Sequence, residues 1–260
     1  MRRPIASATL ISTMDPSHDL RRLEELGLNS SAPPGQLLYD GWLVRLQPGQ
    51  AKRARSVNAV YPSSHPVPDK VAYCEKLYAS HGLPAIFRIT PFSQPATLDA
   101  ELERLGYPQF DLTAVEAATI DPAQLLRCGA QAMALPEWVQ TVGDLRASPP
   151  HYRQSHLERL QAVKLPLRAV ALQHDGAIVA AGLTIVEDGW AGLFDIVTAS
   201  TARRRGYGER VVQSLLKAAC ELGALNAYLQ VGADNAPARA LYARYGFKQR
   251  YQYWYRGHPD

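Results

Sequence analysis

Apolar residues in this chain recur at two spacings. Some stretches place them three or four residues apart, as one face of a helix requires, and others at every second position, as a half-buried strand requires. From near Asp19, "DLRRLEELGLNSS" has Leu20, Leu23 and Leu26 at helical spacing, with Gly27 as the stop. "LLYDGWLVRLQPG" predicts two short strands about Asp40 and Gly41, with Trp42, Val44 and Leu46 alternating before a Pro-Gly turn. "SVNAVYPSSHPVPDK" reads as loop. Residues 69–81 predict a helix with Val71, Cys74, Leu77 and Tyr78 on one stripe and Gly82 beyond its end. "PAIFRIT" predicts a strand, "ATLDAELERLGY" a helix ending at Gly106, and "QFDLTAVEAATI" a return to strand.

The second half repeats this style with a cleaner pattern. Helical material from Glu137 to about Gln161 is broken at Pro149 and Pro150, which a helix interior does not tolerate. "RAVALQHDGAIVAAGLTIVEDGWAGLFDIVT" predicts three strands joined by His174-Asp175-Gly176 and Glu187-Asp188-Gly189 turns, the Asp-Gly pairs marking short hairpins. A helix follows from about Gly206 to Leu222, its stripe formed by Val211, Val212, Leu215, Leu216 and Ala219. "NAYLQV" is a buried strand and "APARALYARYG" a helix closed by Gly246. "FKQRYQYWYR" is a strand pair or one long strand, whose aromatic-rich edge would suit a seam between subunits. An antiparallel meander followed by strand-to-helix crossovers predicts an α/β (α+β) chain on a mixed sheet. At 260 residues, two units are expected: a lead-in over 1–18 with Met14 as an alternative start, a first unit over 19–118, a linker over 119–136 and a second unit over 137–260.

Composition narrows the setting. Hydrophobic residues make up 47% and charged residues 20%, the balance of a globular chain. No apolar run approaches a membrane span, so no membrane partner is expected. Cys74, Cys128 and Cys220 lack metal-ligand spacing, and a reducing cytoplasm is the simplest location. The histidines show no ligand spacing either, and no metal is expected. A net charge of +4 would suit an anionic cofactor. Apart from "AKRARS" at 51–56, read as a solvated loop, and Arg203 to Arg205, the arginines are scattered, so no nucleic-acid partner is expected.

"RRRGYG", residues 203–208, opens the helix that follows "GLFDIVTAS". A helix start leaves backbone N–H groups unpaired and its dipole favours an anion, while glycine lets a bulky phosphate approach the backbone. Arginine forks would add charge-assisted bonds. The stretch read by itself leaves two options, a phosphate cradle or a solvated connection shaped by Gly206 and Gly208. It contains neither a full GxGxxG nor the Gly-Lys-Ser/Thr ending of a triphosphate loop, which removes dehydrogenase and kinase readings.

With "LFDIVT" before it, "RRRGYG" resembles the acyl-CoA-binding motif Q/R-x-x-G-x-G/A of the GNAT (GCN5-related) acyltransferases, with Arg203, Gly206 and Gly208 in its three positions. "LQVGADNAPARALYARYGF" resembles the second hallmark of that family through Asn235, Ala240, Leu241, Tyr242, Gly246 and Phe247. The resemblance covers residues 165–250 closely and 125–260 loosely. The first half looks like the amino-terminal part of a bacterial two-domain GNAT group, in which a smaller, degenerate GNAT-like domain precedes the working one; residues 19–118 hold no glycine-rich pyrophosphate loop.

The resemblance implies a central mixed, mostly antiparallel sheet and an acetyl-CoA-dependent N-acetyltransferase acting on a primary amine by direct attack. It implies a pyrophosphate held by the backbone of Arg203, Arg204, Arg205, Gly206, Tyr207 and Gly208. It implies a strand splayed around Phe194 to Val197, with Ile196, Val197 and Thr198 along the pantetheine arm and the Val197 amide near the thioester oxygen. Asn235, Ala238 and Tyr242 complete the cofactor set, with Tyr242 also the general acid and Tyr245 packing. The strand carboxylate that many members use falls at Ala191 here; Asp195 is a candidate base or amine-binding group, a water chain or backbone carbonyls are the alternative, and His151 and His156 lie on the acceptor side. The acceptor would be a small-molecule amine or a protein amine, and the protein a monomer or homodimer. The alternative is a catalytically silent acyl-CoA-binding or protein-interaction module.

Overall fold

The computed structural model describes residues 16–258. The lead-in expected over 1–18 therefore lies mostly outside the described residues, and helix α1 (Pro16–Asn29) already begins within it. Gly27 does not stop α1. A β-carbon there would stand 2.6 Å from the Gln230 side-chain amide, so the glycine lets the helix close on the sheet rather than end.

Strands β1 (Gln36–Tyr39) and β2 (Trp42–Arg45) form the expected hairpin, with Asp40 and Gly41 both at positive φ as a type I′ turn demands. Strand β3 (Val57–Ala59) lies in the segment read as loop. Its three residues are all buried, so no alternation marks it. Helix α2 (Val67–Ser80), strand β4 (Ile86–Ile89), helix α3 (Leu98–Arg104) and strand β5 (Gln109–Thr119) follow as expected.

The segment expected as linker is not a free tether. It contributes an edge strand, β6 (Gln131–Ala132), and the Gly129 and Ala130 amides both donate to the Ser214 hydroxyl at 3.1 Å. Helices α4 (Leu135–Arg146) and α5 (Pro150–Ala162) meet at the proline pair, with Pro150 in the first turn where its missing N–H costs nothing. The meander β7 (Leu167–His174), β8 (Ala177–Glu187) and β9 (Trp190–Thr198) turns at Asp175-Gly176 and Asp188-Gly189, all four at positive φ. Helix α6 (Tyr207–Glu221), strand β10 (Asn226–Gly232), helix α7 (Ala236–Ala243) and strand β11 (Lys248–Gly257) complete the described chain. Val211, Val212, Leu215 and Ala219 of α6 are fully buried, and the valine and leucine side chains contribute roughly 1.5–3 kcal/mol each when they leave water.

All eleven strands join in one sheet ordered β1-β2-β3-β4-β11-β5-β10-β9-β8-β7-β6. Its pairs are antiparallel except β3 with β4 and β9 with β10. Strand β5 of the first half runs between β10 and β11 of the second, and β11 runs between β4 and β5. The expected boundary at 118/119 thus falls at the end of a strand whose two neighbours both come from the other half. The aromatic strand expected as a possible subunit seam lies in the sheet interior, with Tyr251, Tyr253 and Tyr255 buried. Helix α1 adds a second tie across the halves. Arg22 and Asn29 each donate to Glu187 Oε1 at 3.0 Å, and the Ser30 and Tyr228 hydroxyls lie 3.0 Å apart.

Candidate functional site

Strands β9 and β10 run parallel in register from Trp190 with Asn226 to Leu193 with Leu229, and there the pairing ends. The cause lies on the other side of β9. Between Ala181 and Leu183 of β8, Gly182 faces both Asp195 and Ile196, a bulge that places Asp195 at φ +53°. Gly182 lets α6 pack close to the bulge: a β-carbon there would stand 2.8 Å from a Leu215 methyl and 2.9 Å from a Val211 methyl, so one of them would have to shift. The bulged strand stays with β8 as far as Thr198, so its edge beyond Leu193 has no strand partner.

Helix α6 starts beside that open edge. Gly206 precedes the helix at φ +80°, with no atom within 4 Å of where its β-carbon would be, and Arg203, Arg204 and Arg205 around it are exposed. Arg205 lies over the Tyr207 ring at 5.3 Å, and Arg204 also takes a positive φ. Gly208 sits against Thr198, its β-carbon position 3.3 Å from the hydroxyl, which joins the helix start to the end of β9. Across the gap, Asn235 caps α7 by accepting from the Ala238 amide at 3.3 Å. Tyr242 is buried with no hydrogen bond to its hydroxyl among the described residues; burial first, then the Glu116 carboxylate, pushes that phenol up to about 12. Tyr245, expected as packing, gives its hydroxyl to Glu209 and takes one from Gln213.

The splay opens into a cleft of about 370 Å³ that Tyr242, Asn235, Asp195 and His156 all reach. Asp195 is held by two side chains, accepting from Arg146 Nη1 at 2.7 Å and facing His156 Nε2 at 3.1 Å. Burial would raise this carboxyl, but Arg146, His156 and Arg159 together pull it well below the usual carboxylate range. His156 also packs edge-on against the buried Trp138 at 5.8 Å. His151 stands apart, exposed on α5 and edge-on to the Tyr152 ring rather than in the cleft.

Several cleft residues were not expected. The loop at 51–56, read as solvated, puts Arg53 into the cleft wall, where Nη1 bonds to Gln230 and to the Tyr253 hydroxyl. Arg146, Arg159 and Gln230 join it. Tyr152, His156 and Arg159 recur at helical spacing along α5, a signal available in the sequence. The Arg53 position had none, because only the interlocked sheet brings it to α5. No group of residues able to hold a metal ion occurs among the described residues. No helix among them is long and apolar enough to cross a membrane.

Residues 17–256 match the family model described as "Probable histone acetyltransferase Rv0428c C-terminal". The "Uncharacterized N-acetyltransferase YobR" of Bacillus subtilis (strain 168) is 29% identical over 248 residues, spanning 92% of this chain and 98% of its own. Among solved structures, a GCN5-related N-acetyltransferase from Kribbella flavida shares the fold with a TM-score of 0.67 at 19% identity, over 95% of this chain and 97% of that one. Another from Sphaerobacter thermophilus aligns with a TM-score of 0.56 at 18% identity, over 72% of this chain and 66% of that one. Splayed strands, a glycine-led helix start and a match across nearly the whole described chain converge: this chain belongs to the GNAT family of N-acetyltransferases, in the group that carries the Rv0428c-type C-terminal domain.

Proposed function

We propose that the protein transfers an acetyl group from acetyl-CoA to a primary amine held in the cleft between its two halves. The observation that carries this reading is the parting of β9 and β10 after Leu193 and Leu229, beside an exposed helix start led by Gly206. The residues present fit the cofactor: the space at Gly206 admits a phosphate to backbone N–H groups, and Arg203 to Arg205 supply charge around it. Ile196, Val197 and Thr198 would flank the pantetheine arm, with Asn235 and Ala238 opposite. When bound, acetyl-CoA supplies the activated thioester acyl group.

The chain's own groups then divide the proton work. An attacking amine must be neutral, and the His156–Asp195 pair at the cleft is placed to accept its proton, with the ionised Asp195 holding the ring and drawing in the ammonium. Tyr242 keeps its proton at neutral pH and gives it to the departing sulfur. Backbone amides on the unpaired edge of β9 would stabilise charge on the acyl oxygen; Val197, the residue the resemblance implies for this, instead pairs with Ala181, with its N–H turned towards β8. The first segment, residues 19–118, serves as the acceptor-side wall, contributing Ser31, Gln47 and Arg53. Titration of acetyl-CoA by calorimetry, followed by thiol release in the presence of an amine panel, tests the reading. Binding with turnover supports it; binding without turnover for any amine would leave a silent acyl-CoA-binding module.

A further inference from the structure

Four guanidiniums and one carboxylate line the cleft, Arg53, Arg146, Arg153 and Arg159 against Asp195. Two of the four are already engaged. Arg146 holds Asp195 at 2.7 Å, and Arg153 reaches Asp144 at 2.6 Å. Arg159 differs: its side chain is only 9% exposed, it makes no hydrogen bond among the described residues, and Asp195, its one anionic partner among them, stands 4.0 Å away, while Arg53 and Arg146 add positive charge around it. Arg53 commits Nη1 to Gln230 and Tyr253, while its buried Nε has no partner. A buried guanidinium donor left unpaired, as Arg53 Nε is, is costly, and a bound anion would satisfy it and would meet the charge of Arg159.

Resting on the acetyl-transfer reading, we propose that the acceptor is a small amine that carries its own carboxylate, as an amino acid does, with Arg159 and Arg53 taking the carboxylate and Asp195 with His156 facing the amino group. An amino acid separates its two charges by a few bonds, and the complementary pair Arg159 and Asp195 is 4.0 Å apart. A carboxylate matches the paired donors of a guanidinium fork. A polyamine or a lysine in a basic peptide brings further positive charge, with no carboxylate of its own, against the four cleft guanidiniums, which disfavours it. The cleft volume of about 370 Å³ must also admit the acyl end of the cofactor, so the acceptor is small.

The test uses the full chain, acetyl-CoA and matched acceptors: the common α-, β- and γ-amino acids, the amide of each, spermidine and a lysine-containing basic peptide, with thiol release as readout. The expected result is kcat/KM at least tenfold higher for a free amino acid than for its amide, with spermidine and the peptide lower still. Arg159→Gln is expected to erase that preference mainly through KM, and Arg53→Gln to weaken it, in variants shown by circular dichroism to be folded. If a variant does not fold, the wild-type ratio between acid and amide decides alone. Equal or faster turnover of the amides, spermidine or the peptide overturns the acceptor inference and leaves the acetyltransferase reading standing. Acetyl-CoA binding with no turnover in any class overturns both.

Discussion

Leu193 of β9 and Leu229 of β10 are the last residues across which these parallel strands pair, and beyond them the strands part to end at Thr198 and Gly232. The parting follows from the Asp195 bulge, because β9 must stay with either β8 or β10 once its register shifts, and it stays with β8. A gap between parallel strands exposes unpaired backbone groups to a ligand inside an otherwise closed sheet.

Gly206→Trp would fill the space at the start of α6. The position has φ +80° with open surroundings, so the local cost is that of a side chain in the left-handed region, about 1–2 kcal/mol. Calorimetry is expected to show acetyl-CoA binding weakened more than about tenfold, a loss above about 1.4 kcal/mol. The melting temperature is expected to fall by only about 2–8 °C.

Tyr242→Phe removes a hydroxyl that bonds to nothing among the described residues, so stability and acetyl-CoA affinity are expected to hold while kcat falls by about 10²-fold or more. With the phenol at about 12, the wild-type rate is expected to show no alkaline fall from this group until the pH nears that value. A pH–rate profile of both proteins checks this.

Asp195→Asn separates charge from shape at the bulge. The folded carboxyl titrates below its unfolded value, so its stabilisation is complete above about pH 4 and is lost as pH falls through the folded value. Urea unfolding from pH 7 to pH 3 is expected to show a shallower acid loss for the variant, with acetyl transfer reduced throughout because the amine and His156 both lose their anionic partner.

Glu24→Gln tests how α1 is held. The Glu24 carboxylate takes Arg88 Nη2 at 3.0 Å and the Tyr251 hydroxyl at 2.8 Å in the sheet interior. Leaving Arg88 buried without a counter-charge is expected to cost about 3–5 kcal/mol by urea denaturation. Because α1 carries Ser30 and Ser31 to the cleft rim, acceptor KM is expected to rise as well.

Much of the local order was legible along the chain. Asp-Gly pairs announced each hairpin because their positive φ values are set within two residues, and the α6 stripe was readable because a helix face repeats on its own backbone. Asn235 caps α7 through a contact only three residues long, the kind that local sequence sets. Strand β3 was not legible, because three residues buried on both faces carry no period, and Gly27 read as a stop when its reason was a distant amide.

The sequence by itself determined the longer elements, the Asp-Gly turns and the glycine-led helix start, all fixed by interactions between near neighbours on the backbone, but not the short strands β3 and β6. Tertiary structure alone decided that β5 and β11 trade places between the halves. It also brought Arg53 from the first half opposite Arg159 and Asp195 from the second. Sheet order and the meeting of charges in a cleft depend on contacts more than a hundred residues apart, and nothing in a local pattern of apolar and polar positions encodes which distant strand will take an open edge.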